Sequence, residues 1–211
     1  SLTLEINNLG QAADREIYRP ILVSYLKHHE AGLCGNCKHR IDANPLRVLD
    51  CKVPECRIIT EQAPRLSESL SETARSYFAQ VLAGLDLIHI PYSLNHRLVR
   101  GLDYYNLTTF EVTATNLGAQ NAVGAGGRYD GLVETLGGAS TPAVGFAVGL
   151  ERIAMLLPDS QKSLLPHDKT VYIAGFGTQG SVAGLTALEE LRTFGISAVS
   201  DFRSTTLKAH L

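Results

Sequence analysis

Within six residues the chain places Arg100, Asp103, Tyr104 and Tyr105, in the stretch from Leu98 to Tyr105 that leads to Phe110 and Glu111. A strand buried in a sheet has no structural use for that mixture. The guanidinium of Arg100 can clamp a phosphate or carboxylate through two parallel N–H donors. It can equally form a surface salt bridge beside two core tyrosines. In an extended backbone Tyr104 and Tyr105 point to opposite faces, so one is expected to face a pocket and the other to pack. A second cluster runs from Ala125 to Gly131, where Gly126 and Gly127 let a backbone approach a ligand or another strand, and Arg128 and Asp130 can pair around Tyr129. An ordinary glycine turn between strands is its plainer reading. In a third, Val144 to Arg152, Gly145 and Gly149 leave a strand face bare, and Arg152 falls near a helix N-terminus, where phosphate is favoured.

Two other patterns carry chemistry on paper. The four cysteines lie at Cys34, Cys37, Cys51 and Cys56, with gaps of 2, 13 and 4 residues. That spacing suits a four-thiolate zinc site holding a polar, proline-broken segment together. It also suits four reduced cysteines in a helical region, some buried as small apolar residues. Gly175, Gly177 and Gly180 spell G-x-G-x-x-G after a strand, with Asp201 about twenty residues further on, as in dinucleotide-binding folds. A glycine turn in a β-α-β unit explains the same residues and is the reading adopted.

These residues need a scaffold. Alternation of Leu2, Leu4 and Ile6 with Thr3 and Glu5 predicts an opening strand. Residues 12–29 have helical period, with Pro20 expected to kink or restart the helix. Residues 31–65 are broken by Pro45, Pro54 and Pro64 into short helices and turns. Ser69 and Glu72 resemble a capping box ahead of the stripe Phe78, Val81, Leu82 and Leu85. After Pro91 the period shortens. Phe110, Val112 and Ala114 alternate with Thr109, Glu111 and Thr113, predicting a strand half-buried on one face. Val144–Val148 is a strand and Leu150–Leu157 a helix. Residues 158–168 read as a linker, followed by strand, helix and strand over 171–200. The chain has 211 residues, 45% hydrophobic and 19% charged, with formal net charge −2. That composition supports a folded core and argues against a bulk basic footprint for nucleic acid. No apolar run reaches membrane-spanning length and no secretory leader opens the chain, so a reducing, cytoplasmic setting without disulfides is expected. Opening inside a strand and closing inside a helix, at Thr206 to Leu211, predicts an excised internal piece.

Taken together, R-G-L-D-Y-Y (100–105), G-G-R-Y-D-G-L (126–132) and G-F-A-V-G-L-E-R (145–152) resemble, in order and spacing, motifs of the histidyl-tRNA synthetase family. The first is similar to its histidine signature and the last to motif 3 of class II synthetases. The resemblance implies an α+β fold. Residues 1–10 and 91–157 would form part of a class II antiparallel catalytic sheet, 11–90 a helical insertion, and 169–211 the start of an α/β anticodon-binding domain. It implies activation of histidine with ATP and Mg2+, then transfer to histidine tRNA, by a cytoplasmic homodimer. Arg100 matches the catalytic arginine that also meets histidine. Tyr105, Tyr129 and Gly127 match the histidine pocket, and Arg152 and Gly149 the ATP site. Motif 1, motif 2 and the glutamate-bearing part of the pocket are not in this chain, which predicts an inactive fragment. A catalytically silent relative that binds a partner subunit or free histidine is the alternative. A nucleotide-binding domain resting on the Gly175 loop ranks last.

Overall fold

The structure, a computed structural model, describes residues 1–102, 104–118, 121–157 and 170–201. It separates into one unit of residues 1–82 with 91–156, and another of 83–90 with 157–211. The first unit is built on a five-stranded sheet formed by β1 (Leu2–Asn8), β2 (Tyr92–Leu94), β3 (Asn106–Ala114), β4 (Ala122–Arg128) and β5 (Val144–Val148). Their order is β2-β1-β3-β4-β5, parallel between β1 and β2 and antiparallel elsewhere. The α+β class expected from the sequence is the one observed.

Register divides the sheet into two faces. Glu5 lies opposite Glu111, which lies opposite Ala125, which lies opposite Ala147. One row further on, Asn7, Thr109, Gly127 and Gly145 stand in line. This face is polar on β1 and β3 and nearly bare on β4 and β5. The other face carries Leu4, Ile6, Val112, Phe110, Phe146 and Val148. The alternation in β3 predicted a strand half-buried on one face; Ala114 of its apolar row is buried, at 1%, but the polar row is covered too. Thr109 and Thr113 are buried, at 0% and 7% exposure, while Phe110 and Val112 are only half-buried. The reason is that the segment from Asn95 to Leu102 and part of the helical region lie over the polar row. Asn7 Nδ2 donates to the Leu98 carbonyl at 2.9 Å, and Thr109 Oγ1 donates to the Gly126 carbonyl at 3.2 Å. Buried polar groups are tolerated where they find such partners.

The helical region comprises α1 (Ala12–His28), α2 (Gly35–Ala43), α3 (Leu46–Leu49), α4 (Pro54–Glu61) and α5 (Glu72–Leu87), the last belonging to the first unit as far as Leu82. Tyr18, Leu22 and Leu26 fill its core with Leu33, Ile41, Val48, Leu66 and Ala74, and the same core takes in Val99 and Leu107. Pro20 does not interrupt α1. It is exposed, as is Glu16, so water can serve the carbonyl that proline leaves unpaired. The expected capping box at Ser69 is displaced by two residues: Ser71 is the cap, its Oγ accepting from the Ala74 N–H at 3.3 Å. Two short helices, α6 (Leu132–Thr135) and α7 (Leu150–Leu156), follow β4 and β5.

In the second unit β6 (Thr170–Ile173), α8 (Gly177–Thr193) and β7 (Ser197–Ser200) form a β-α-β unit with parallel strands, as the sequence predicted. The Gly175 loop opens α8, and Gly177 takes the left-handed conformation at φ 66°. The expected linker over 158–168 and the closing helical turns at Thr206 to Leu211 lie outside the described residues. No helix among the described residues is long and apolar enough to cross a membrane.

Candidate functional site

The segment ahead of β3 is a turn, not a strand, and that changes which side chains meet. Asp103 lies outside the described residues. Tyr104 and Tyr105 were expected on opposite faces, but their rings stack on one another with centroids 4.8 Å apart. The alternation rule presupposes extended backbone, and the chain is extended only from Asn106 onwards. Tyr129, at the far end of β4, meets both rings edge-on at 5.6 Å. The Arg100 guanidinium carbon stands 5.4 Å from the Tyr105 ring centre, within range of a cation–π contact. Arg100, Tyr105 and Tyr129 are therefore brought together over one face, and Tyr104 joins them as a residue that the expectation of opposite faces left out.

A bulge sets this up. Asn106 pairs with Arg128 and Thr109 with Gly127, so Leu107 and Thr108 have no partner on β4. Leu107 takes φ 49°, rare for a branched side chain, and is held by exchanged backbone bonds with Leu9 and Gly10. The bulge ends regular pairing just where the tyrosines begin. The return side is pinned by Asp130, which accepts from Arg128 Nε at 2.8 Å and from the Ala143 N–H at 3.1 Å.

The bare sheet face has a purpose in this packing. A side chain at Gly145 would collide with the Tyr129 hydroxyl. One at Gly127 would meet the Thr108 carbonyl at 2.6 Å and Tyr105 Cδ1 at 3.0 Å. Only glycine at both positions lets the tyrosines lie down on the strands.

Arg100 Nη1 lies 3.4 Å from Glu111 Oε2, both side chains about a fifth exposed. Burial pushes the Glu111 carboxyl above its ordinary range, outweighing the attraction of Lys52 and Arg100. Arg100 Nε is buried without a hydrogen-bond partner. A cavity of about 300 Å³ adjoins the cluster, lined among others by Arg15, Glu16, Arg19, Arg100 and Tyr105. Arg152 is not in this group. It sits on α7, and its Nη1 donates to the Ala122 carbonyl at 2.7 Å, at the opposite end of β4 from Tyr129. Gly149 lies beside it, 3.3 Å from Arg152 Cδ when a Cβ is added.

The cysteines form a second cluster. The sulfurs of Cys34, Cys37, Cys51 and Cys56 all lie within 4.8 Å of one another, and none is in a disulfide. The Cys34 N–H donates to Cys56 Sγ at 3.1 Å. A bond from the Cys37 backbone N–H holds the Cys34 thiol down at about 7, whereas burial pushes Cys37 and Cys56 up.

A family model described as Histidyl-tRNA synthetase matches residues 50–153. Histidine–tRNA ligase of Anaeromyxobacter dehalogenans is 46% identical over 98% of this chain, and that of Nitratidesulfovibrio vulgaris strain DP4 is 44% identical over 100%. The chain spans about half the length of the curated relatives it matches, 50% in both cases. Among solved structures, apo histidyl-tRNA synthetase of S. aureus superposes with a TM-score of 0.58 at 32% identity, over 99% of this chain and 52% of that one.

Proposed function

We propose that this chain, which belongs to the histidyl-tRNA synthetase family, carries the histidine-binding wall of that enzyme's active site and two of its phosphate-facing arginines. The observation that supports this most is the grouping of Arg100, Tyr105 and Tyr129 over Gly127 and Gly145. Neutral imidazole presents one donor and one acceptor, and a tyrosine hydroxyl can answer either. In the proposed reaction a histidine carboxylate oxygen attacks the α-phosphorus of ATP bound with Mg2+. The bond to pyrophosphate breaks, leaving histidyl-adenylate. The terminal ribose hydroxyl of histidine tRNA then attacks the acyl carbon and AMP departs. Negative charge grows on the α-phosphate oxygens in the first step. A fixed guanidinium at Arg100 meets it without reorganisation. Arg152, with Gly149, is assigned to the ATP phosphates, apart from the histidine subsite. The complete enzyme is proposed to act as a cytoplasmic homodimer.

The chain by itself is expected not to activate histidine at a useful rate. It supplies one side of the phosphate clamp, whereas the family's motif 2 supplies the other. ATP–pyrophosphate exchange with added histidine tests this, comparing the chain with a version extended upstream through motifs 1 and 2. The extended protein should exchange, and Arg100→Ala within it should lose a factor on the order of 10²–10³. Equal rates for the short and extended proteins, or an unaffected Arg100→Ala, would overturn the assignment.

A further inference from the structure

We propose that Cys34, Cys37, Cys51 and Cys56 bind one zinc ion as a closed, structural four-thiolate site. The first support is distance. A Zn–S bond of about 2.3 Å places tetrahedral sulfurs roughly 3.8 Å apart. The four sulfurs lie within 4.8 Å of one another, and the Cys34 and Cys51 sulfurs are 4.0 Å apart. Rotamer adjustments of under about 1 Å would complete the tetrahedron. Iron–sulfur clusters need their thiolates spread around several metal atoms, so this compact arrangement favours a single ion. Four sulfurs and no imidazole or carboxylate select a soft, tetrahedral metal.

The second support is how the backbone delivers the ligands. Cys34 caps α2 and Cys37 lies in its first turn, so two ligands come from one helix start. Cys56 lies in the first turn of α4, after Pro54. Cys51 sits just past α3, its N–H bonded to the Val48 carbonyl at 3.1 Å. Two helix N-termini thus aim at the sulfurs, where partial positive charge favours thiolate. The Cys34 N–H already donates to Cys56 Sγ, as amides do around bound thiolates. On binding, the cysteines release their protons to solvent and the ion with four thiolates carries a net charge of −2.

The third support is need. Three of the four cysteines are buried, inside the core that the short helices share with Leu33, Ile41, Val48 and Leu49. The residues between Cys51 and Cys56 join α3 to α4. Arg97 Nε reaches the Leu49 carbonyl at 3.2 Å and Arg97 Nη1 the Glu61 carboxylate at 3.4 Å, so this knot also grips the strand-to-turn segment that leads to Arg100. The proposal does not depend on the synthetase reading, because metal content can be measured without any activity.

The test is elemental analysis of the chain purified without added chelator, followed by stripping and titration with Co2+. The expected result is about one zinc per chain, and on titration the intense visible bands and thiolate charge transfer of tetrahedral cobalt. Stripping should increase amide hydrogen exchange over residues 34–61 by at least tenfold, and zinc should restore protection. Cys37→Ser and Cys56→Ser should lose metal. Because such variants can fail to fold, the cobalt spectrum of the unaltered chain is decisive. A protein that retains no zinc and gives only the faint spectrum of octahedral cobalt overturns the proposal. So does one that holds iron instead, or whose four cysteines are recovered as disulfides under reducing purification.

Discussion

Glu111 is held where burial works against its charge. Its carboxyl binds a proton more tightly in the folded chain than in the unfolded one, because burial outweighs Lys52 and Arg100. The sign follows: stability is lost as pH rises from the usual carboxylate value through the raised one, and regained on acidification. Glu111→Gln is therefore expected to be no less stable than the parent at neutral pH. Its stability should change less with pH across the mildly acidic range. Urea titrations at several pH values check this, and a variant with an unchanged or steeper slope would contradict it. The glycines under the tyrosines separate two kinds of cost. In Gly145→Ala the new methyl meets the Tyr129 hydroxyl, the end of a side chain that can swing aside. The fold should persist while the proposed histidine binding, read by calorimetry on the extended protein, weakens at least tenfold. In Gly127→Ala the methyl meets backbone at Thr108 and Thr109, which cannot swing. That variant should lose about 1–3 kcal/mol of stability, as overpacked sites do.

Helices α1 and α5 are joined by one carboxylate. Asp14, 3% exposed, accepts from the Gln11 N–H at 2.8 Å at the start of α1. It also accepts from the Ser71 N–H at 2.8 Å and from Ser71 Oγ at 3.3 Å at the start of α5. Both helix N-termini place positive partial charge beside it. Asp14→Ala would leave buried donors without partners, so a loss of roughly 2–4 kcal/mol is expected. Asp14→Asn keeps an acceptor and should lose less. Chemical denaturation monitored by circular dichroism ranks the two. Equal losses would mean that the retained acceptor rescues nothing and that the charge carries the whole effect.

At the scale of the whole chain, the apolar face of the sheet stands out. Phe146, Val144 and Val148 on β5 are 73%, 74% and 47% exposed, and β5 ends the strand order. A flat apolar edge strand is a template for pairing with another chain. The chain as it stands is expected to self-associate. Its light-scattering mass should rise with concentration, and Phe146→Ser combined with Val148→Thr should reduce the rise. A concentration-independent monomer would show that this face is inert in solution.

Much of this protein could be read from the order of its residues. The tyrosine and glycine motifs, the strand periods, and the β-α-β pattern after residue 169 are local properties, and local patterns of polarity and turn residues are legible without coordinates. The cysteine spacing was legible too, although as two alternatives. What the sequence could not decide depends on contacts between residues far apart in the chain. That the polar row of β3 is covered as well was not legible, because what lies over the neighbouring Asn7 comes from residues around Leu98. The side-by-side stacking of Tyr104 and Tyr105 needed the turn before β3 and the bulge at Leu107. The tie of Asp14 to Ser71, 57 residues further on, exists only in the fold. The four sulfurs became one cluster only when α2 and α4 brought their N-termini together. In each case periodicity specifies what a segment prefers, while burial, and hence the chemistry of a side chain, is set by what packs on top of it.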